Sequence, residues 1–264
     1  MIWSGDCREE IILSNFNSQI MLEINKIHLG DCLELMKLIP DKSIDMILCD
    51  LPYGTTACKW DTIIPFEPLR EQYNRIIKNN GAIVLFGSQP FTSALVMSNP
   101  KMFKYELIWD KVQGKQPFLA KIQPMKSHEN IIVFAKSKTK YNPQMWKGKP
   151  YTDKRAGQLD KTTHWVGHKR MDYENKSDRY PITVIKANNP NRAGQHPTQK
   201  PVALFEYLIK TYTNEWDIVL DNCAGSGTTA IACINTNRNY IMIEQLQEYV
   251  DIANKRLSEI VEKK

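Results

Sequence analysis

From Ile24 onward the apolar positions keep two alternating rhythms. Short runs dense in apolar residues occur at Lys26–Leu29, Ile44–Cys49, Ala82–Phe86, Tyr105–Trp109, Ile131–Phe134, Ile218–Leu220 and Tyr240–Ile243. Between them apolar residues recur at every third or fourth place, as in Phe66–Ile77, where Leu69, Tyr73, Ile76 and Ile77 form one stripe. The first rhythm predicts strands and the second helices, here near Leu33–Leu38, Phe66–Ile77, Phe91–Met97, Val202–Thr211, Thr228–Asn235 and Leu246–Val261. An Asn-Gly turn at 80–81 is expected to lead into the strand Ala82–Phe86. The central strands are apolar throughout, which predicts an α/β sheet covered by helices on both faces. From about Ser137 to Gln195 the rhythm fails, leaving one predicted strand at Ile182–Ile185. So long an irregular stretch is unusual inside an α/β domain and reads as an inserted recognition segment. The first 23 residues have little pattern and read as an N-terminal extension.

Composition adds mainly exclusions. A chain of 264 residues, 42% apolar and 24% charged, is not disordered, collagen-like or built on disulfides. Its longest apolar stretches fall far short of the roughly 20 residues a membrane helix needs. No basic, apolar leader opens the chain, so a soluble cytosolic protein is predicted. The six cysteines contain no C-x-x-C pair and are expected to be reduced and mostly packed. His164 and His168 stand four apart, but nothing near them completes a metal site, and no metal is expected.

Charge is more informative. The net charge is +6, yet residues 138–192 alone hold 13 Lys or Arg against 5 Asp or Glu. The same segment carries Trp146, Tyr151, Trp165, Tyr173 and Tyr180. Basic residues interleaved with aromatics suit a polyanion surface with platforms for bases, although a solvated insertion would have a similar composition.

Two loops carry candidate chemistry. The strand Ile218–Leu220 ends at Asp221, and Cys223-Ala224-Gly225-Ser226-Gly227-Thr228-Thr229 turns straight into a helix. Glycines let a ligand approach the backbone, and the helix start offers unpaired N–H groups. The next strand ends in Glu244, 19 residues past Gly225, where an acid can reach both hydroxyls of a ribose. The loop lacks the lysine of a phosphate loop, which argues against ATP hydrolysis. It also comes late, with only 37 residues after Gly227, whereas a dinucleotide dehydrogenase normally opens with its glycine loop. The second loop, Asp50-Leu51-Pro52-Tyr53-Gly54, follows the strand Ile44–Cys49 at the end where open α/β sheets bind ligands. It sets an acid, a backbone carbonyl and an aromatic ring close together, suited to holding an amine and stacking on its base.

With Asp50-Leu-Pro-Tyr53, the donor-like loop Asp221–Thr229 and Glu244 in this order, the chain resembles the S-adenosylmethionine-dependent DNA amino-methyltransferases that act on adenine N6 or cytosine N4. The motifs stand in the circularly permuted order of the beta class. The catalytic tetrapeptide departs from the family at Leu51, which replaces a proline. Asn222-Cys223 replaces the usual Pro-Phe of the donor loop, leaving open how the donor's adenine is packed.

The resemblance implies a Rossmann-like methyltransferase fold with a mostly parallel seven-stranded sheet. Residues 24–137 would be the catalytic part, 138–195 the target-recognition insertion and 196–264 the donor-binding part. It implies a catalytic group of Asp50, Leu51, Pro52 and Tyr53. The donor would be held by Asp221, Cys223, Ala224, Gly225, Ser226, Gly227, Thr228 and Glu244, with Asp31 and Cys32 at its adenine. His196-Pro-Thr198-Gln-Lys200-Pro matches the segment before the donor loop, which puts Thr198 and Lys200 near the donor's methionine carboxylate. The leading Asp50 favours adenine N6 over cytosine N4. Duplex DNA is the implied partner, with a cognate restriction endonuclease and a homodimer as further expectations, in a bacterial, archaeal or phage setting. RNA or protein-glutamine methylation stays open, since similar loops hold amines there. None of the six cysteines follows a proline, as the nucleophile of a cytosine-C5 enzyme would.

Overall fold

The computed structural model describes residues 21–55, 61–115, 117–154, 172–188 and 200–262. The first half alternates strictly: β1 (Lys26–Leu29), α1 (Cys32–Met36), β2 (Ile44–Cys49), α2 (Phe66–Ile76), β3 (Ile77–Gly87) and α3 (Phe91–Ser98). Two long strands follow, β4 (Phe103–Lys115) and β5 (Lys126–Phe134), then five short ones: β6 (Trp146–Lys147), β7 (Tyr151–Asp153), β8 (Tyr173–Asn175), β9 (Asp178–Arg179) and β10 (Val184–Lys186). Alternation resumes with α4 (Val202–Tyr212), β11 (Ile218–Asp221), α5 (Thr228–Asn235), β12 (Asn239–Glu244) and α6 (Gln247–Val261).

Eight strands form one sheet in the order β1-β12-β11-β2-β3-β5-β4-β10. Only β5 runs against its neighbours, pairing antiparallel with β3 and β4; the other sheet pairings are parallel. The expected seven strands thus become eight among the described residues. The addition is β10, from the irregular segment, which pairs with the edge strand β4 at Val184↔Ile108 through Lys186↔Asp110. Trp109 Nε1 donates to Ala187 O at 2.8 Å and fastens the segment there.

Each strand sends alternate side chains to opposite faces, so the sheet has two apolar layers. Met46, Leu48, Val84, Phe86, Val219 and Met242 pack against Leu204, Phe205 and Leu208 of α4, with α5. Ile47, Cys49, Ile83, Leu85, Leu220 and Ile243 pack against Met36, Leu69, Tyr73 and Phe91 of α1, α2 and α3. A register shift between Ile44 and Met46 puts Ile44 on the second face with Ile47.

One local expectation is corrected. Asn80 and Gly81 make no turn; β3 runs through them from Ile77 to Gly87. A Cβ on Gly81 would lie 2.7 Å from the Asp45 carbonyl oxygen, so the residue is small because β2 passes close by. The irregular segment also holds more order than one strand: β6 pairs with β9 and β7 with β8, both antiparallel. Trp146, Tyr151, Tyr173 and Tyr180 are all exposed there, and Arg179 lies over the Tyr151 ring at 4.6 Å. Trp165, His164 and His168 lie outside the described residues. No helix among the described residues is long and apolar enough to cross a membrane.

Candidate active site

Four adjacent parallel strands, β1, β12, β11 and β2, end along one edge of the sheet, with Leu29 opposite Glu244 and Asp221 opposite Met242. Leu220 is opposite Ile47, so β2 ends beside the glycine loop. Asp31, Glu244, Asp221 and Asp50 therefore share that edge, although they are scattered over more than 200 positions of sequence. Carboxyl ends of parallel strands are where such sheets place ligands.

The glycine loop is built from within. Asp221 is buried; its Oδ1 accepts the Cys223 N–H at 3.0 Å and its Oδ2 accepts the Thr229 hydroxyl. Burial pushes its carboxyl up to about 6, against the pull of those hydrogen bonds. Glu244 Oε2 accepts from Gly225 N at 2.8 Å and Oε1 from Leu246 N at 3.0 Å, so the acid at the end of β12 holds the turn open. Gly225 and Gly227 both have positive φ, +50° and +78°. A Cβ on Gly225 would meet nothing within 4 Å, whereas one on Gly227 would lie 2.8 Å from the Ala253 Cβ. Gly227 is therefore needed for helix packing, and Gly225 borders open space at the start of α5. Thr228 and Ser226 are buried, as is Ala224, whose N–H bonds Ile243 O at 2.9 Å. Arg256 from α6 donates to the Ser226 carbonyl and, at 2.9 Å, to its hydroxyl. No periodicity in the sequence pointed to Arg256, because the contact crosses 30 residues.

Asn222 is one of the two residues at which the loop departs from the pattern it resembles. It is buried, and its Oδ1 accepts the Tyr73 hydroxyl of α2 at 2.5 Å. The polar residue fits because the helix beneath supplies a donor. Cys223, Cys49 and Cys32 gather at the same place. Burial pushes Cys49 up to about 12, and the neighbouring Cys223 thiol, then burial, raises Cys32 further. Thiols held up in this way stay protonated and are poor nucleophiles. Asp31 caps α1, its Oδ1 accepting from Leu33 N at 2.8 Å and Glu34 N at 3.1 Å.

The Asp50 loop is more tightly tied than its sequence suggested. Leu51 is buried in the second core layer. The Tyr53 ring lies 5.1 Å from Phe91, tilted by 32°, and its hydroxyl donates to Asp50 Oδ1 at 2.6 Å. Burial, and then the Asp50 carboxylate, push that phenol well above its ordinary value. Gly54 and Thr55 donate their N–H groups to Asp61, both at 2.9 Å, which closes the loop.

Lys200 has partners that its sequence neighbourhood did not indicate. Its ammonium bonds Asp50 Oδ2 and stands 3.3 Å from Glu129 Oε2, with the Phe86 ring at 5.2 Å and Tyr53 at 5.9 Å. Burial works against its charge, yet Asp50 and Glu129 hold it above the usual lysine range. Glu129 belongs to none of the motifs in the sequence. It lies in β5 opposite Trp109, with Oε1 bonded to Lys111, whose ammonium lies 5.0 Å from the Trp109 ring. Burial works against this carboxylate too, but Lys200 and Lys111 hold it below the usual range. Thr198, with the rest of 189–199, lies outside the described residues. Among the described residues no cluster of His, Cys, Asp and Glu could hold a metal ion.

Comparison with known proteins places this edge in context. The family described as DNA methylase matches residues 44–255. The chain is 30% identical over 263 residues to the type II methyltransferase M1.MboII of Moraxella bovis, covering 91% of this chain and 99% of that one. It is 28% identical to the DNA adenine methyltransferase YhdJ of Escherichia coli K12, over 86% of this chain and 81% of YhdJ. Among solved structures it is similar to the M1.HpyAVI complex with S-adenosylmethionine, at 26% identity and a TM-score of 0.59, covering 88% of this chain and 98% of that one. It also shares its fold with the cytosine-N4-specific PvuII DNA methyltransferase, at 17% identity and a TM-score of 0.64 over 89% and 87% of the two chains.

Proposed function

Because the chain belongs to the DNA methylase family, shown by the match over residues 44–255, we propose that it transfers a methyl group from S-adenosylmethionine to the N6 amine of adenine in duplex DNA. The observation that carries this reading is the meeting of two loops at one sheet edge, the Asp50 carboxylate beside a glycine turn braced by Glu244. The open space at Gly225 and the start of α5 fit a nucleoside donor there. Asp221, Cys223, Ala224, Gly225, Ser226, Gly227 and Thr228 are assigned to hold it with Glu244, Asp31 and Cys32, and Thr198 and Lys200 are assigned to its methionine carboxylate. When bound, S-adenosylmethionine supplies a methyl group already activated on a sulfonium.

The chain's own residues then need only hold and orient. The amine of adenine is a poor nucleophile because its lone pair is delocalised into the ring. Asp50 and the Leu51 carbonyl accept its N–H bonds, favour a pyramidal nitrogen and aim the lone pair in line with the methyl. Positioning and fixed charge lower the barrier, with no covalent enzyme intermediate. As the new N–C bond forms, the bond from sulfur to the methyl breaks and S-adenosylhomocysteine leaves; the amine becomes acidic, and its proton goes to water directly or through Asp50. A base paired in a duplex cannot reach this edge and must be flipped out. Tyr53, already fixed by Phe91 and Asp50, is the ring on which the flipped base would stack. The Lys and Arg of 138–192 contact phosphates, except Lys140, which Asp45 and Asp217 hold against the fold, and the exposed aromatics of β6 to β8 stand ready for bases.

The acid at the head of the loop supports adenine over cytosine, as does the likeness to a relative named a DNA adenine methyltransferase. Relatives named type II methyltransferases support pairing with a restriction nuclease of the same specificity. Incubation with labelled donor and unmethylated duplex DNA, followed by nucleoside analysis, tests the reading, with N6-methyladenine as the expected product. Label in N4-methylcytosine would keep the mechanism and overturn the base. Donor binding without transfer to any duplex would exclude DNA as substrate.

A further inference from the structure

The Asp50 carboxylate is already in use: Tyr53 donates to Oδ1 and Lys200 to Oδ2. A carboxylate in contact with an ammonium is a weaker acceptor for a neutral amine. Lys200 also crowds one side of a group whose side chain is only 29% exposed. An enzyme that leaves this contact in place hinders its own substrate. A buried ammonium, however, cannot simply let go, because an unpaired charge there is strongly disfavoured.

The structure offers a second place for it. Glu129 Oε2 is buried and, among the described residues, is the buried side-chain oxygen or nitrogen with no hydrogen bond. It stands 3.3 Å from Lys200 Nζ, at ion-pair distance without a bond. Its sister oxygen is fixed by Lys111, itself packed on Trp109 across the β4–β5 ladder, so the free oxygen is aimed. The two carboxylates and two ammoniums of Asp50, Glu129, Lys200 and Lys111 balance, so a shift of Lys200 between acids leaves the total unchanged.

We propose that Glu129 is a positioning residue that receives the Lys200 ammonium when the target amine takes its place on Asp50. The inference rests on the reading of Asp50 as the amine acceptor. Nothing covalent changes; one ion pair lengthens and another becomes a hydrogen bond. Lys200 guards the carboxylate until the target amine arrives and then leaves Asp50 free to accept.

The test is Glu129→Gln in the full chain, read as methyl transfer to duplex DNA across pH, with donor binding and the unfolding midpoint measured alongside. The groups facing Lys200 and Glu129 are Asp50, Tyr53, Lys111 and Lys126. Without Glu129 the ammonium has only Asp50, so kcat near neutral pH falls about tenfold, a usual size for coupling between touching groups. Lys200 then loses its proton more readily than in the wild type, and the variant's rate climbs towards the wild-type rate as pH rises. Glu129→Asp keeps a carboxylate beside Lys200 and recovers part of the lost rate at neutral pH. A defect equal at every pH, or equal in the Gln and Asp variants, would mean that Glu129 only braces β5 and would overturn the proposal. So would an unchanged rate in Glu129→Gln while Asp50→Ala is inactive. Full activity in Asp50→Ala would instead remove the amine-acceptor reading, and this inference with it.

Discussion

The two ends of β2 each carry a carboxylate paired with lysine, and they differ in every other respect. Asp45 is 2% exposed at the amino end, where its Oδ1 takes Lys140 at 2.7 Å and its Oδ2 takes Lys78 at 2.7 Å and Ile218 N at 3.1 Å. Burial opposes its charge, but Lys140 and Lys78 hold it below the usual carboxylate range. Lys140 is fixed in turn by Asp217 at 2.6 Å. Asp50, five residues on, is 29% exposed, and its partners are a phenol and a lysine that has another acid within reach. The first carboxylate ties β2 to β3, β11 and the chain after β5. The second has partners that can be exchanged. An ion pair braced by a backbone amide and a second carboxylate is architecture; one with an alternative partner is poised to change.

The largest expected effect separates the two ends. Asp50→Ala should lower methyl transfer by about 100- to 1,000-fold, the usual cost of losing one group that meets developing charge, with the thermal midpoint lowered less than in Asp45→Ala because Lys200 keeps Glu129 as a partner. If it unfolds the protein instead, the contrast with Asp45 fails. Asp45→Ala should do the reverse. Leaving Lys78 and Lys140 facing an empty acid site should cost about 3 kcal/mol in urea unfolding, while the folded fraction keeps its turnover.

The glycine turn sharpens the same division on a smaller scale. Gly227→Ala forces a methyl against Ala253 at a positive φ and should destabilise by about 2 kcal/mol. Gly225→Ala has free space and should cost only about 1 kcal/mol of backbone strain, but the new methyl should weaken donor binding measured by calorimetry. Equal donor affinity in the two variants would show that Gly225 does not border the donor.

The smallest effect is in pH. Asp221 is raised to about 6 in the fold, so the native state takes up this proton before the unfolded chain does. Its contribution is complete below about pH 4, the unfolded carboxylate value, and is lost as pH rises through 6. Asp45 is lowered, so its contribution is present above about pH 4 and is lost as pH falls below that. Urea midpoints between pH 4 and 7 should therefore fall less steeply with rising pH in Asp221→Asn than in the wild type. An identical slope would show that burial does not hold that proton.

Much of the molecule was legible in local pattern. The strands Lys26–Leu29 and Ile44–Cys49 and the helix Thr228–Asn235 match their expected bounds. Asp50, Asp221 and Glu244 were readable as acids at strand ends because hydrophobic runs mark where strands stop. Lys200 was harder. Its motif suggested a donor carboxylate but gave no sign of its protein partners, Asp50, 150 residues away, and Glu129. Gly81 misled because Asn-Gly is the common hairpin turn, and only the passage of β2 beside it explains a glycine inside a strand.

By itself the sequence determined which segments are strands and helices, which residues end them, and that the glycine loop comes after the Asp50 loop. These properties depend on side-chain periodicity and local backbone preference over a few residues. Only the tertiary structure decided that β5 slips antiparallel between β3 and β4, that β10 extends the sheet, and that Glu129 meets Lys200. Those outcomes turn on which distant strands pair and in what register, and the free energy of such pairings belongs to the whole packed sheet rather than to any short stretch of chain.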